Sequence, residues 1–287
     1  MNSAFDGPIG FVGVGNMGSA MALRTVQEGA AVVAYDASDA ACQRLSDAGA
    51  TIVESAAVVA AQCRTVSVVV NTDQQVRDAF AGDDGLIAGA APGTIVAIHS
   101  TIHLGTLEQA VAAAARQSVI VVDAAVTGGP DAAARGELVV MIGGDRSTFE
   151  TLRRRLACCA SLIVHVGDLG AGMSAKIALM VISFGKLAAA YEGMHLAHAA
   201  GVDMAEFARI VAQSESQSGL HEFFLRERTL RFADDYQGPL REIARHEIPK
   251  SQKDLHAAIE LAERLGVTLP ITEVAHDEMP SVWGIDR

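Results

Sequence analysis

The chain has 287 residues, half of them hydrophobic, a formal net charge of −12 and a pI near 5.1. That apolar content supports a large core, and chains of this length ordinarily divide into two domains. The negative balance, with no compensating basic patch, argues against a nucleic-acid partner or an anionic membrane surface. Cys42, Cys63, Cys158 and Cys159 lack C-x-x-C or Cys/His metal spacing, so reduced buried thiols are expected, with no metal site and no disulfide framework. The opening MNSAFDG has neither the charged nor the apolar region of a signal peptide, and the apolar run Ile177 to Ala190 is interrupted by Lys186 and too short to span a bilayer. The expected location is the cytoplasm.

In chain order, the first informative stretch is IGFVGVGNMG, Ile9 to Gly18: a short apolar β-type segment runs into glycines 13, 15 and 18, and the helix-compatible SAMALRTVQEG follows. Gly13 permits a tight turn out of the strand and Gly15 a close approach of backbone to a pyrophosphate. Gly18 permits close helix–strand packing, and the amides around Asn16 and Met17 at the helix start are free to bind phosphate. An ordinary glycine turn is the plain alternative, but the strand-to-helix context favours a dinucleotide site. AAVVAYDAS follows as a buried strand ending at Asp36, close to the spacing of an acid that accepts from the adenosine 2′-hydroxyl. Such a carboxylate repels a 2′-phosphate, and Ala37, Ser38 and Asp39 supply no adjacent cation, so NAD is expected over NADP. Asp36 capping the next helix is the alternative, although Ser38 also stands ready for that role.

Further apolar runs near 66–70, 94–98, 119–122, 138–142 and 162–166 alternate with helical patterns such as 17–29, 39–48, 74–80 and 103–117. This alternation predicts an α/β fold with a parallel, doubly wound sheet over residues 1–168. The β-type runs then stop. Met173 to Ala200 contains no proline and is apolar on nearly every face, as in a helix buried between domains or subunits. Helical patterns near 203–213, 217–232 and 251–265 make residues 169–287 an all-helical second domain. A homodimer or homotetramer is expected to bury that long helix.

Three later motifs carry chemistry. Thr127, Gly128 and Gly129 stand at a strand end, where a hydroxyl and two amides can converge on an anion. GDLGAGMSAK, Gly167 to Lys176, opens the long helix with glycines and sets a lysine two turns in, and KSQKDL, from Lys250, offers more cations near the start of a later helix. Alone, each reads as well as a turn or a surface cation. Together, and in this order, they resemble the β-hydroxyacid dehydrogenase family. Its G-x-G-x-M-G falls on Gly13, Gly15, Met17 and Gly18, and its D-x-P-V-S-G-G on Asp123, Val126, Thr127, Gly128 and Gly129. Its G-x-x-G-x-G-x-x-x-K falls on Gly167, Gly170, Gly172 and Lys176, with the glutamate of the same helix at Glu192, and its K-D-L on Lys253, Asp254 and Leu255.

The resemblance implies that Lys176 exchanges the substrate hydroxyl proton during hydride transfer and that Thr127, Gly128 and Gly129 hold the substrate carboxylate. It further implies that Thr101 lies at the nicotinamide end, that Lys253 closes over the cofactor, and that Asn71 and Thr72, in a loop that usually reads leucine-proline, line the nicotinamide ribose. This sequence also departs from the family. Leu179 and Met180 replace two asparagines, and positions i, i+3 and i+4 share a helix face, so both lie beside the lysine and make the substrate pocket more apolar. Ala125 replaces a proline, Ile98 stands where an aspartate is common, and the neighbouring His99 reads as a packing residue. An expanded segment between Tyr236 and Lys253, with His246 and Pro249, is expected to reshape the lid. The leading expectation is an NAD-dependent dehydrogenase for a bulky or apolar β-hydroxyacid or related alcohol. The alternatives are an imine reductase, disfavoured by the retained lysine, and a non-catalytic NAD-binding protein.

Overall fold

The computed structural model describes residues 7–217 and 239–283. The expected helical pattern over 217–232 and the start of the expanded segment at Tyr236 lie outside the described residues, apart from Gln217. The chain parts into two compact units, Met1–Met180 and Val181–Arg287.

The first unit is a sheet of eight strands: β1 Ile9–Val12, β2 Val32–Tyr35, β3 Thr51–Ile52, β4 Thr65–Val68, β5 Ile95–Ile98, β6 Ile120–Thr127, β7 Leu138–Gly143 and β8 Ala160–Gly167. Their spatial order is β3-β2-β1-β4-β5-β6-β7-β8. Neighbours from β3 to β6 are parallel, β7 is antiparallel to β6, and β8 is parallel to β7. The doubly wound sheet read from the sequence is thus correct, with one reversal at β6/β7. β1, β4 and β5 are buried at every residue, as strands covered on both faces must be, which explains their unbroken apolar runs.

Eight helices cross over within this unit: α1 Asn16–Gln27, α2 Asp39–Asp47, α3 Ala56–Gln62, α4 Asp73–Phe80, α5 Leu86–Gly89, α6 Leu104–Ala115, α7 Gly129–Arg135 and α8 Arg146–Leu156. Two apolar clusters result. One joins α1, α2, α7 and α8 to the sheet through Met21, Leu45, Ala133 and Leu152. The other joins α3 to α6 through Val59, Val76, Leu86 and Leu107, and includes Met173.

Strand register fixes where a ligand can sit. Tyr35, Val12, Val68, Ile98 and Asp123 form one row across β2, β1, β4, β5 and β6, so the chain leaves the sheet at a common rim just beyond them. After β3 the chain crosses back to place β4 on the other side of β1. The crevice at the carboxyl ends of β1 and β4 is therefore the topological switch point, the standard ligand position in such sheets.

Helix α9, Ala171–Ala199, carries the division between the units at Met180 and Val181. By length and composition it could cross a bilayer. It nevertheless carries Lys176 and Lys186, and its buried Glu192 is saturated by protein donors, as in a helix that packs on protein. Val181, Phe184, Leu187 and Tyr191 remain 63–72% exposed. The second unit continues with α10 Met204–Gln217, α11 Pro239–Leu265 and α12 Pro270–Trp283, and is all-helical over its described residues. α11 runs through Pro249, so the part of the expanded segment that is described is helix. The Glu192 carboxylate accepts from the amides of Ile271 at 2.7 Å and Thr272 at 2.9 Å and from the Thr272 hydroxyl at 2.7 Å, tying α9 to the first turn of α12.

Candidate active site

The glycine loop between β1 and α1 has the geometry that its sequence requires. Gly13 sits at φ +86°, and a Cβ there would lie 2.5 Å from the Val69 carbonyl oxygen. A Cβ on Gly18 would collide with the Gly13 carbonyl oxygen, whereas one on Gly15 would meet nothing within 4 Å. Two glycines are thus enforced by packing, and the third leaves the backbone open on the side where a phosphate would approach. Gly15 occupies the N-cap position of α1 and has no side chain to offer, so the exposed Asn16 and half-buried Met17 begin a helix whose first amides face outward.

Asp36, directly after β2, accepts from the Val14 amide at 2.6 Å and the Ser38 amide at 2.9 Å. It therefore buttresses the glycine loop from the side and does not cap α2. Each carboxylate oxygen keeps a second acceptor position for a ribose hydroxyl. Beside it lies a cleft of about 250 Å³ lined by Val12, Gly13, Tyr35, Asp36, Val70 and Gln75 among others, at the switch point.

The loops after β4 and β5 are fastened together. The Ser100 hydroxyl donates to the Val70 carbonyl at 2.7 Å and accepts from its amide at 3.0 Å. Asn71 and Thr72 are exposed, but their amides already donate to Gln75 Oε1 at 2.8 and 3.2 Å, and the Thr72 hydroxyl caps α4 by accepting from the Gln75 amide. What these residues present outward is thus the Asn71 side chain and a rigid turn. Thr101 is exposed, and the next residue, Ile102, donates its amide to Met173 Sδ at 3.4 Å, which brings the β5 loop onto the start of α9.

β6 joins the remaining motifs. Asp123 is fully buried, and its carboxylate accepts from the amides of Gly170 at 2.9 Å and Met173 at 2.6 Å. A Cβ on Gly172 would lie 2.5 Å from the Met141 carbonyl oxygen and 2.9 Å from Asp123 Oδ2, so the first turn of α9 sits directly on the ends of β6 and β7. Lys176, one turn beyond Met173, is half-buried, and burial lowers its pKa from the ordinary 10.5. Thr127 ends the same strand that carries Asp123, with Gly128 and Gly129 turning into α7. Leu179 and Met180 are both half-buried, and Leu179 packs against the apolar core beneath α3 to α6.

His99 is a core residue, as its sequence context indicated. Its Nδ1 lies 2.7 Å from the Ala124 carbonyl oxygen and its Nε2 3.0 Å from the Ser67 hydroxyl, bridging β4, β5 and β6. Complete burial pulls its pKa down to about 4, so it is neutral, donating from Nδ1 to Ala124 and accepting at Nε2. Lys253 lies on α11 in the second unit, exposed, with its ammonium 3.3 Å from Asp254. Reading motifs alone missed the work of Asp123, Ser100 and Gln75. Gln75 was detectable, since Thr72 with a glutamine three places on is a capping-box signature.

Residues 8–167 match the NAD binding domain of 6-phosphogluconate dehydrogenase, and residues 170–282 match the family described as NAD-binding of NADP-dependent 3-hydroxyisobutyrate dehydrogenase. The chain belongs to the 3-hydroxyisobutyrate dehydrogenase-like family. It is an NAD(P)-binding oxidoreductase of that family. Among its relatives is an uncharacterized oxidoreductase of Mycobacterium tuberculosis, 34% identical over 96% of this chain and 93% of that one. The human mitochondrial 3-hydroxyisobutyrate dehydrogenase is 30% identical over 73% of this chain and 62% of its own length. A crystal structure from Mycobacterium avium 104, of a protein classed as an oxidoreductase, superposes with a TM-score of 0.85 at 34% identity over 97% of this chain and 99% of that one.

Proposed function

We propose that this family member is an NAD-dependent dehydrogenase that moves a hydride between the nicotinamide and the hydroxyl-bearing carbon of a β-hydroxyacid or related alcohol, with Lys176 exchanging the hydroxyl proton. The observation that carries the reading is the mooring of Lys176. A half-buried lysine stands one turn past a helix start that Asp123 and Ile102 fix at the rim where the glycine loop opens.

The residues present fit the dinucleotide, because the loop is open above Gly15 and the Asp36 cleft lies at the switch point. NAD, when bound, supplies the hydride acceptor or donor. Gly13, Gly15, Asn16, Met17 and Gly18 would hold the pyrophosphate, Asp36 the adenosine ribose, and Thr101 with Asn71 and Thr72 the nicotinamide end. Asp36 favours NAD over NADP by charge. Lys176 Nζ, with its neutral form favoured by burial, accepts the hydroxyl proton in the oxidation direction and returns it in reduction. The Thr127 hydroxyl and the amides of Gly128 and Gly129 would hold the carboxylate. The four free thiols fit a reducing, cytoplasmic compartment.

Leu179 and Met180 set the expected substrate range. An apolar pocket distinguishes substrates by only about 1–3 kcal/mol per methylene, so the enzyme should be broad and prefer apolar bulk. The test is kcat/KM with NAD across β-hydroxyacids of growing side chain, for wild type and for the double variant Leu179→Asn, Met180→Asn. Rising kcat/KM with apolar bulk in wild type, shifted toward small polar acids in the variant, supports the reading. A wild-type preference for small acids, with mere loss of activity in the variant, would make both residues core packing. Turnover of imines but not alcohols would favour the imine-reductase reading. Binding of NAD with no turnover on either panel would favour a non-catalytic NAD-binding protein.

A further inference from the structure

At the far end of α1 from the glycine loop, two adjacent thiols meet against the apolar cluster that joins α1 and α8 to the sheet. Cys158 and Cys159 lie in the turn between α8 and β8 with their sulfurs 3.6 Å apart. The Thr25 hydroxyl on α1 lies 3.7 Å from Cys158 Sγ and 3.6 Å from Cys159 Sγ, and its own proton is directed to the Met21 carbonyl at 2.8 Å. Cys159 Sγ also lies 3.4 Å from that carbonyl, and Arg24 Nε donates to the Cys158 carbonyl at 3.1 Å. Cys159 is buried, while Cys158 is half-buried and reachable.

The four thiols of the chain are not equivalent. Burial raises Cys63 to about 12 and also pushes Cys42 upward. The contact with the Cys159 thiol, together with the Thr25 hydroxyl, holds the Cys158 thiol down at about 7, and the same contact together with burial pushes that of Cys159 upward. Cys158 thus combines access with thiolate character, and its neighbour sits within reach to resolve an oxidised sulfur.

We propose that Cys158 and Cys159 form a peroxide-sensitive vicinal dithiol that oxidises reversibly to a disulfide. In the first step the Cys158 thiolate attacks a peroxide oxygen. The S–O bond forms as the O–O bond breaks, the peroxide is reduced to an alcohol or water, and Cys158 becomes a sulfenic acid. In the second step the Cys159 sulfur, losing its proton, attacks Cys158 Sγ, so that the S–S bond forms, the S–O bond breaks and water leaves. In total two thiols lose two protons and two electrons to one peroxide. The sulfurs must close from 3.6 Å to about 2.05 Å. The small ring this makes through one peptide bond strains the bridge and renders it easy to reduce.

The test treats the intact protein with one equivalent of hydrogen peroxide, blocks remaining thiols, and analyses the tryptic peptide 156–176 by mass spectrometry. The expected product has lost two hydrogens, is restored by dithiothreitol, and forms with a rate that rises through about pH 7, roughly 10²-fold or more ahead of any oxidation at Cys42 or Cys63. Cys159→Ser should instead accumulate a dimedone-trappable sulfenic acid at Cys158. The proposal is overturned if wild type yields sulfinic acid at Cys158 without the bridge, if Cys42 or Cys63 oxidises as fast, or if peptide 156–176 is unchanged.

Discussion

Asp123 offers the sharpest perturbation of the site without touching a group that would meet substrate. Its carboxylate holds two amides of the α9 start at 2.9 and 2.6 Å in a fully buried position. Hydrogen bonds to a charged acceptor contribute about 1.5–3 kcal/mol each, so Asp123→Ala should destabilise the first unit by roughly 3–6 kcal/mol. At about 2–4 °C per kcal/mol for a unit of this size, the melting temperature should fall by roughly 6–24 °C. Asp123→Asn keeps one acceptor oxygen and should lose about half as much. Gly172→Ala strikes the same contact from the other side, because its Cβ would be forced against backbone at Met141. In all three variants Lys176 should be displaced while the β1–α1 loop should not. Steady-state kinetics should therefore show kcat down on the order of 10²-fold, the usual effect of an ångström of misplacement, with KM for NAD little changed. Thermal unfolding by circular dichroism and kcat and KM for NAD, on the same preparations, check both parts. An unchanged kcat in a destabilised Asp123→Ala protein would show that Asp123 only holds the fold together, and loss of NAD binding at constant kcat would misplace the mooring altogether.

Three further outcomes follow from particular contacts. NAD should give the higher kcat/KM, and Asp36→Ala should narrow that preference while raising KM for both cofactors, since Asp36 also anchors the Val14 amide; equal or better turnover of wild type with NADP would refute the assignment. His99 has its pKa lowered from 6.5 to about 4, so the unfolded state binds the extra proton between those values. Its contribution of about 3 kcal/mol is complete above pH 6.5 and lost as pH falls toward 4, and denaturant unfolding across this window should be visibly less pH-dependent in His99→Gln; identical slopes would contradict it. The exposed stripe of Val181, Phe184, Leu187 and Tyr191 on α9 should be covered by a second copy, so sedimentation at micromolar concentration should show a dimer or tetramer and not a monomer.

Much of this architecture is legible in the sequence because its signals are local. The runs that became β1, β4 and β5 are short, apolar and bounded by turns, and the glycines after β1 answer local needs, a positive φ at Gly13 and close approach to the Gly13 carbonyl at Gly18, although the Val69 contact that also enforces Gly13 is long-range. The late motifs gained meaning from their order along the chain, since Thr127 or Lys176 alone is an unremarkable residue. What was not legible depends on long-range pairing. Asp123 is one acid in an apolar strand, and nothing in its neighbourhood indicates that it receives amides 47 and 50 residues later. Ser100 and His99 likewise act across the neighbouring strands β4, β5 and β6, on partners 25 to 32 residues away in the chain. Leu179 is the instructive mixed case: helix periodicity put it beside Lys176, and the fold also turns part of it onto the core.

The central claim is that Lys176 moves the proton. Replacing it with methionine keeps the volume and the half-buried helix position but removes the amine, so NAD affinity by fluorescence titration should be unchanged while kcat falls by roughly 10²- to 10⁴-fold. In wild type, kcat for alcohol oxidation should rise with pH through a pKa below 10.5, because burial favours the neutral amine, and this rise should vanish in Lys176→Met. Near-native kcat in the variant, with the pH profile intact, would contradict the account and assign proton transfer to another group.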